Sequence, residues 1–198
     1  MVEMEVNIVI AGVGGQGVVT AGTLISEAAS LAGMNVVMSE IHGMSQRGGS
    51  VSVEVRLGDV RSPMVSKGKA DLILGLEEIE TIRALNKASR DTLVIMSTEK
   101  LTPIYLSMRR QEYPELSSVG ENLGKLNRFH RIDAVRLARE CGDERVAGTV
   151  MIGAAIAGRA LPFGKEVVLD ALADRFSGHV LEANSRALSV GFGEIEVH

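Results

Sequence analysis

At 198 residues, with 45% hydrophobic and 23% charged side chains, the chain has the size of one domain and needs no disulfide or metal staple to close a core. A net charge of −4 spread over both signs argues against duplex binding through a basic face, and two Tyr, four Phe and no Trp leave few rings for stacking single-stranded bases. The single cysteine, Cys141, excludes an intrachain disulfide and any four-cysteine zinc or iron–sulfur site, so a metal of that kind must be carried by another chain.

The first strand is expected at Asn7–Ala11, a short β-branched run ending on glycines. From Gln16 to Ala32 the apolar residues fall at helical spacing, and Gly33 suits the helix end. Asn35–Ser39 is the next strand, completing a βαβ unit. Residues 41–50 form a polar, glycine-bearing loop. Ser50–Leu57 then alternates as a half-exposed strand, with Gly58-Asp59 as a turn and Val60–Ser62 as its expected antiparallel return. Asp71–Leu76 is a buried strand, Glu77–Ala88 a helix and Thr92–Ser97 a further strand. The stretch 98–126 has no periodic pattern, which in a compact domain suggests a functional or interaction arm. Phe129–Ile132 is the last strand, and Asp133 caps a helix running to Cys141. Arg145–Arg159 is a helix apolar on nearly every face, hence buried, and its small residues would admit another backbone; residues 150–158 and the 98–126 arm are interface candidates, or else internal packing. Two short amphipathic helices complete the chain, near Lys165–Phe176 and His179–Val190.

These elements predict one α/β domain over residues 1–198. It is a three-layer, mostly parallel, Rossmann-like sheet with an inserted antiparallel hairpin and a helical C-terminal part. The longest apolar stretch, Val146–Leu161, is too short for a membrane span and is broken by Thr149 and Arg159. The acidic N-terminus runs straight into a strand, so the expectation is a cytoplasmic protein without a signal peptide, bound to neither membrane nor nucleic acid.

Two stretches carry chemistry. Gly12, Gly14 and Gly17 fit G-x-G-x-x-G between a strand and a helix, where Gly12 permits the turn, Gly14 admits a ligand to the backbone and Gly17 permits close helix–strand packing. Glu40, 23 residues after Gly17, stands near the place of a ribose-binding carboxylate. Against a dinucleotide site, Gly15 adds a fourth glycine beside Gln16, and the segment after Glu40 is unlike such a fold; the loop could equally be a tight turn presenting backbone to a neighbouring subunit. The second stretch holds Ser39, Glu40, His42, Gln46, Arg47, Gly48 and Gly49 after a strand's carboxyl end, where open α/β sheets place ligands. Glu40 and His42, two apart, point the same way from an extended backbone and are the candidates for an acid/base pair. Arg47 could clamp a carboxylate or phosphate, or simply pair with Glu40. The remaining histidines, His130, His179 and His198, are scattered without metal-ligand spacing, so no metal site is expected, and Cys141 reads as a small buried residue.

Ala11–Gly17 together with the run Ser39–Ser50 resembles the gamma-type component of the 2-oxoacid:ferredoxin oxidoreductases, nearest the small-subunit type that serves indolepyruvate. The likeness continues through Ser62-Pro63, Ala70-Asp71, residues 134–142 and Ile152–Ala154. It implies oxidative decarboxylation of an arylpyruvate with coenzyme A to an acyl-CoA, with electrons passing to ferredoxin. Thiamine diphosphate and iron–sulfur clusters would then sit on a large partner subunit, this chain would bind no cofactor by itself and would be inactive alone, and ferredoxin would be reached through the complex. A catalytic residue on this chain is not assigned beyond the candidates Glu40 and His42, and in isolation the chain could pair with a second copy. The family often carries an asparagine before Ile152-Gly153-Ala154, where this chain reads Val146-Ala147-Gly148-Thr149. The alternative is a stand-alone Rossmann-type dinucleotide-binding protein, built on Gly12, Gly14, Gly17 and Glu40.

Overall fold

The computed structural model describes residues 5–43, 48–101, 113, 123 and 126–195. Six strands, β1 (Val6–Val13), β2 (Val36–His42), β3 (Ser50–Leu57), β4 (Ala70–Gly75), β5 (Ala88–Ser97) and β6 (Arg128–Ile132), form one sheet in the order β2-β3-β1-β4-β5-β6. β1, β4, β5 and β6 are mutually parallel, and β3 runs antiparallel to both its neighbours. Helix α1 (Val18–Leu31) crosses the front of the sheet from β1 to β2, and α2 (Glu78–Ala84) crosses the back from β4 to β5. α3 (Ala134–Glu140), α4 (Ala147–Ala157), α5 (Lys165–Arg175) and α6 (Gly178–Gly193) complete the front layer.

The α/β class and the inserted antiparallel hairpin hold, with one correction to the hairpin's composition. Val60–Ser62 does not return beside β3, because both edges of β3 are already occupied: Val36 and Val6 both pair with Leu57, and the two registers run the length of the strand. The hairpin is β2–β3. Residues 58–62 turn away, with Val60 N–H donating to the Gly58 carbonyl at 2.8 Å and Arg56 donating to the Ser62 carbonyl at 3.0 Å. β3 therefore sits between β1 and β2, so the two strands of the βαβ unit are parallel without being neighbours.

The α1 and α2 crossovers leave β1 and β4 in opposite directions, which opens a crevice at the carboxyl ends of those strands. Ile8, Ile10, Val53, Val55, Leu72, Leu74 and Ile95 fill the front of the sheet against α1 and α4, while Val9, Ile73 and Val94 face the back. All eleven residues of α4 are buried, so the expected buried helix is present. Its small residues are not free for a partner subunit. A Cβ on Gly153 would fall on the Leu188 carbonyl of α6, and one on Gly191 would fall on the Val150 carbonyl of α4. The interface candidate at 150–158 is an internal helix crossing, whereas the 98–126 arm lies mostly outside the described residues.

Candidate functional site

β1 carries the chain to Val13 at the carboxyl edge of the sheet, and Gly14–Gly17 turn it into α1. Gly15 (φ 107°) and Gly17 (φ 80°) hold left-handed conformations that glycine adopts without strain. Gly12 is required by space: a Cβ there would lie 2.8 Å from Val18 Cγ2 and 2.9 Å from Gln16 Oε1. Gln16 bolts the turn to the sheet. Its Oε1 accepts from Val13 N–H at 2.7 Å and its Nε2 donates to the Leu76 carbonyl beyond β4 at 2.9 Å. Among the described residues no side chain caps α1 at Gly17, an arrangement that favours an anion at its first turn.

The second motif meets the first. Gly14 N–H donates to the Gly49 carbonyl at 2.9 Å, Gly48 N–H returns to the Gly14 carbonyl at 3.4 Å, and Gly43 N–H donates to the Ser50 carbonyl at 2.7 Å. Glu40 and His42 share one side of β2, as the two-residue spacing implies, with His42 Nε2 2.9 Å from Glu40 Oε2. Both are exposed, on the edge strand, and β3 separates them from the glycine turn. Ser39 faces the opposite side, beside Met64. Gln46 and Arg47 lie outside the described residues.

A cavity of about 700 Å³ opens beside the glycine turn, within the range for small-ligand sites. Gly14, Gly15, Gln16 and Gly17 line one wall; Glu40 and His42 do not reach it. Sequence reasoning missed the opposite wall, which comes from the far end of the chain: Arg139, Arg145, Thr149, Phe176 and Asn184. Arg145 grips Asp143 with Nε and a terminal nitrogen, at 2.6 Å for the shorter contact, and this holds the Asp143 carboxyl down to about 2. Arg139 pairs with Glu144 at 3.0 Å. Both guanidinium groups are largely exposed at the mouth. In the neighbourhood where an asparagine was expected, Gly148 packs near Ala21 of α1 and Thr149 hydrogen-bonds Asn184.

Behind the same sheet edge lies a second cluster the sequence did not advertise. Glu77, Glu78 and Glu80 are all buried. Glu77 caps α2 through Glu80 N–H at 2.9 Å and accepts from Tyr113 at 2.5 Å. Burial outweighs those hydrogen bonds and raises its carboxyl above the usual range; burial and the Glu77 carboxylate raise the Tyr113 phenol in turn. Glu78 pairs with Arg131 at 2.5 Å and Lys100 at 3.6 Å. Glu80 accepts from Ser50 Oγ at 2.6 Å, tying the end of the second motif to α2. Cys141 is buried, which pushes its thiol up. Among the described residues, no three His, Cys, Asp or Glu side chains converge as a metal site, and no helix is long and apolar enough to cross a membrane.

Residues 7–194 match the family described as pyruvate ferredoxin/flavodoxin oxidoreductase. The chain is 40% identical over 194 residues to the indolepyruvate oxidoreductase subunit IorB of Methanothermobacter thermautotrophicus, covering 96% of this chain and 97% of that one. It is 38% identical over 192 residues to the protein of the same name from Archaeoglobus fulgidus, covering 96% of each. Its fold is shared with the pyruvate oxidoreductase subunit PORC of Thermotoga maritima, at a TM-score of 0.75 over 97% of both chains and 22% identity.

Proposed function

The chain belongs to the pyruvate ferredoxin/flavodoxin oxidoreductase family, and on that premise we propose that it is the small subunit of an indolepyruvate-type 2-oxoacid:ferredoxin oxidoreductase. The observation that carries this reading is the backbone pairing of the two motifs, Gly14 with Gly48 and Gly49, beside a ligand-sized cavity at the carboxyl edge of the sheet. Full-length similarity to two indolepyruvate oxidoreductase subunits supports it.

The groups that such a reaction requires do not fit this chain. One buried cysteine cannot ligate a four-cysteine cluster, and the described residues offer no carboxylate or histidine set for the metal that a diphosphate cofactor would bring. We assign thiamine diphosphate and the clusters to a large partner subunit, from which ferredoxin would take its electrons. What this chain supplies is the cleft. The first-turn amides of α1 suit the phosphates of coenzyme A, Leu24, Leu76, Val146 and Phe176 suit its less polar parts, and Arg139 and Arg145 at the mouth would have to leave Glu144 and Asp143 to reach a phosphate. Gly12 and Gln16 keep the turn in place, and the Glu40–His42 pair, remote from the cavity, is assigned to contact with the partner. A nicotinamide dinucleotide is disfavoured, because β3 removes Glu40 from the position in which it would hold a ribose.

The test is turnover by the reconstituted complex. Mixed anaerobically with its large subunit, the chain should support arylpyruvate- and coenzyme A-dependent ferredoxin reduction that neither subunit gives alone. Turnover by the large subunit alone at the rate of the complex would overturn the reading.

A further inference from the structure

The two motifs meet through backbone hydrogen bonds, and a side chain from the opposite layer governs where they meet. Ser50, the first residue of β3, stands at the junction. Its carbonyl accepts from Gly43 N–H at 2.7 Å, which closes the hairpin loop, and it faces Val13 at the last rung of the β1–β3 ladder. Immediately before it, the Gly49 carbonyl accepts from Gly14 N–H at 2.9 Å, and Gly48 N–H reaches the Gly14 carbonyl at 3.4 Å. Neither glycine has a side chain to hold it there, so their placement depends on the residue that follows. The Ser50 hydroxyl donates to Glu80 Oε2 of α2 at 2.6 Å.

Glu80 gains little else from its position. It is 3% exposed, and its N–H donates to the capping carboxylate of Glu77 at 2.9 Å, which fixes it in the first turn of α2. Its other oxygen lies 3.4 Å from Arg83, a guanidinium more than half exposed. Taking a carboxylate out of water costs more than a long pair with an exposed cation returns, and an apolar residue of similar volume would pack as well. What the carboxylate adds is a short, directional, charge-assisted bond to one hydroxyl. The same segment anchors the first motif: Gln16 donates to the Leu76 carbonyl at 2.9 Å, and Leu76 N–H donates to the Ala11 carbonyl of β1 at 2.8 Å. Residues 76–80 thus hold Gln16 at one end and Ser50 at the other. Without the Ser50 bond, the Gly49 carbonyl can leave Gly14, and the glycine turn loses one of its supports.

We infer that Glu80 is a positioning residue, which through Ser50 fixes Gly48 and Gly49 and so sets the Gly14 turn for the phosphates of its ligand. The inference rests on the proposed function in taking that ligand to be coenzyme A. Neither Glu80 nor Ser50 lines the cavity, so both act through the backbone.

The experiment is steady-state turnover of the chain reconstituted with its large subunit, titrating coenzyme A and the arylpyruvate separately, with the thermal midpoint of each complex. Ser50→Ala and Glu80→Met should each raise KM for coenzyme A about tenfold, with kcat within about twofold and KM for the arylpyruvate unchanged. The double variant should do no more than the larger single, because both remove one bond. Ser50→Thr keeps the hydroxyl and should restore KM. Glu80→Met removes a buried charge at similar volume, so its KM should rise without a fall in the midpoint. An unchanged KM for coenzyme A in whichever variant assembles, equal rises for both substrates, singles that multiply in the double, or a rise that tracks a falling midpoint overturns the positioning role and leaves the coenzyme A reading standing. Failure of both variants to assemble overturns it too, since the bond would then serve the fold. A wild-type complex whose turnover does not depend on coenzyme A removes the proposed function and this inference with it.

Discussion

On the front of the sheet, α4 and α6 approach until Gly153 and Gly191 lie on each other's backbone, and the surrounding core is hydrocarbon. On the back, α2 places Glu77, Glu78 and Glu80 out of solvent and Glu54 of β3 joins them, paired with Lys87 at 2.9 Å. The front is held by shape and by apolar surface removed from water, which are indifferent to pH. The back has its own apolar cluster around Val9, Ile73 and Val94, and adds to it charges whose desolvation is only partly offset by cations such as Arg131 and Lys100 that remain half in water. The cavity opens on the front, but the loop that meets its glycine wall is moored to the back through Ser50 and Glu80. Substitutions on one side should therefore act through geometry and on the other through charge.

The largest effect is expected at the helix crossing. Gly191→Leu must push α4 and α6 apart and should cost about 3 kcal/mol in urea unfolding, equally at pH 5 and pH 8. A loss that varies with pH would break the contrast between the two faces. Next comes Glu78→Gln, which deprives Arg131 of its carboxylate and should cost about 2 kcal/mol at neutral pH, reduced by the exposure of the arginine. An unchanged midpoint would show that the pair contributes nothing.

Glu77 sharpens the comparison by sign. Its carboxyl is raised in the folded protein, so the native state holds a proton there that the unfolded chain releases. Its contribution is complete below the ordinary value of 4.5 and is lost as the pH climbs through the raised folded value. Glu77→Gln keeps an acceptor for Tyr113 and cannot titrate. Wild type should therefore lose stability relative to this variant as the pH rises above 4.5, and parallel pH profiles would contradict the assignment. Gly15→Ala is milder, because no described residue lies within 4 Å of the added carbon and the φ of 107° is what is strained; about 1 kcal/mol is expected, with weakened coenzyme A binding. Arg136→Ala, which removes an exposed pair with Glu140, should leave the melting temperature unchanged within error.

Local pattern carried much of this. The β-branched run before Gly12, the helical spacing after Gln16, the Asp133 cap (accepting from Arg136 N–H at 3.2 Å) and α4, apolar but for Thr149, were each legible, because each depends on neighbours in sequence. The insertion of β3 between β1 and β2 was not, since alternation in Val51, Val53 and Val55 says that a strand has a buried face but not which strands flank it. The two motifs could be singled out, but their mutual hydrogen bonds could not, nor could a cavity wall drawn from residues 139–184. The burial of Glu77, Glu78 and Glu80 at the start of the expected helix was not legible either, since their partners Tyr113, Arg131 and Lys100 come from later in the chain and Ser50 from earlier.

The most direct measurement is the anaerobic co-purification of the full chain from its host, with the visible spectrum recorded and arylpyruvate-dependent ferredoxin reduction assayed. The account predicts a brown complex with a large cysteine-rich subunit, active with coenzyme A, and a colourless, inactive chain once the two are separated. A chain that arrives alone, or that carries cofactor and activity after separation, would contradict it.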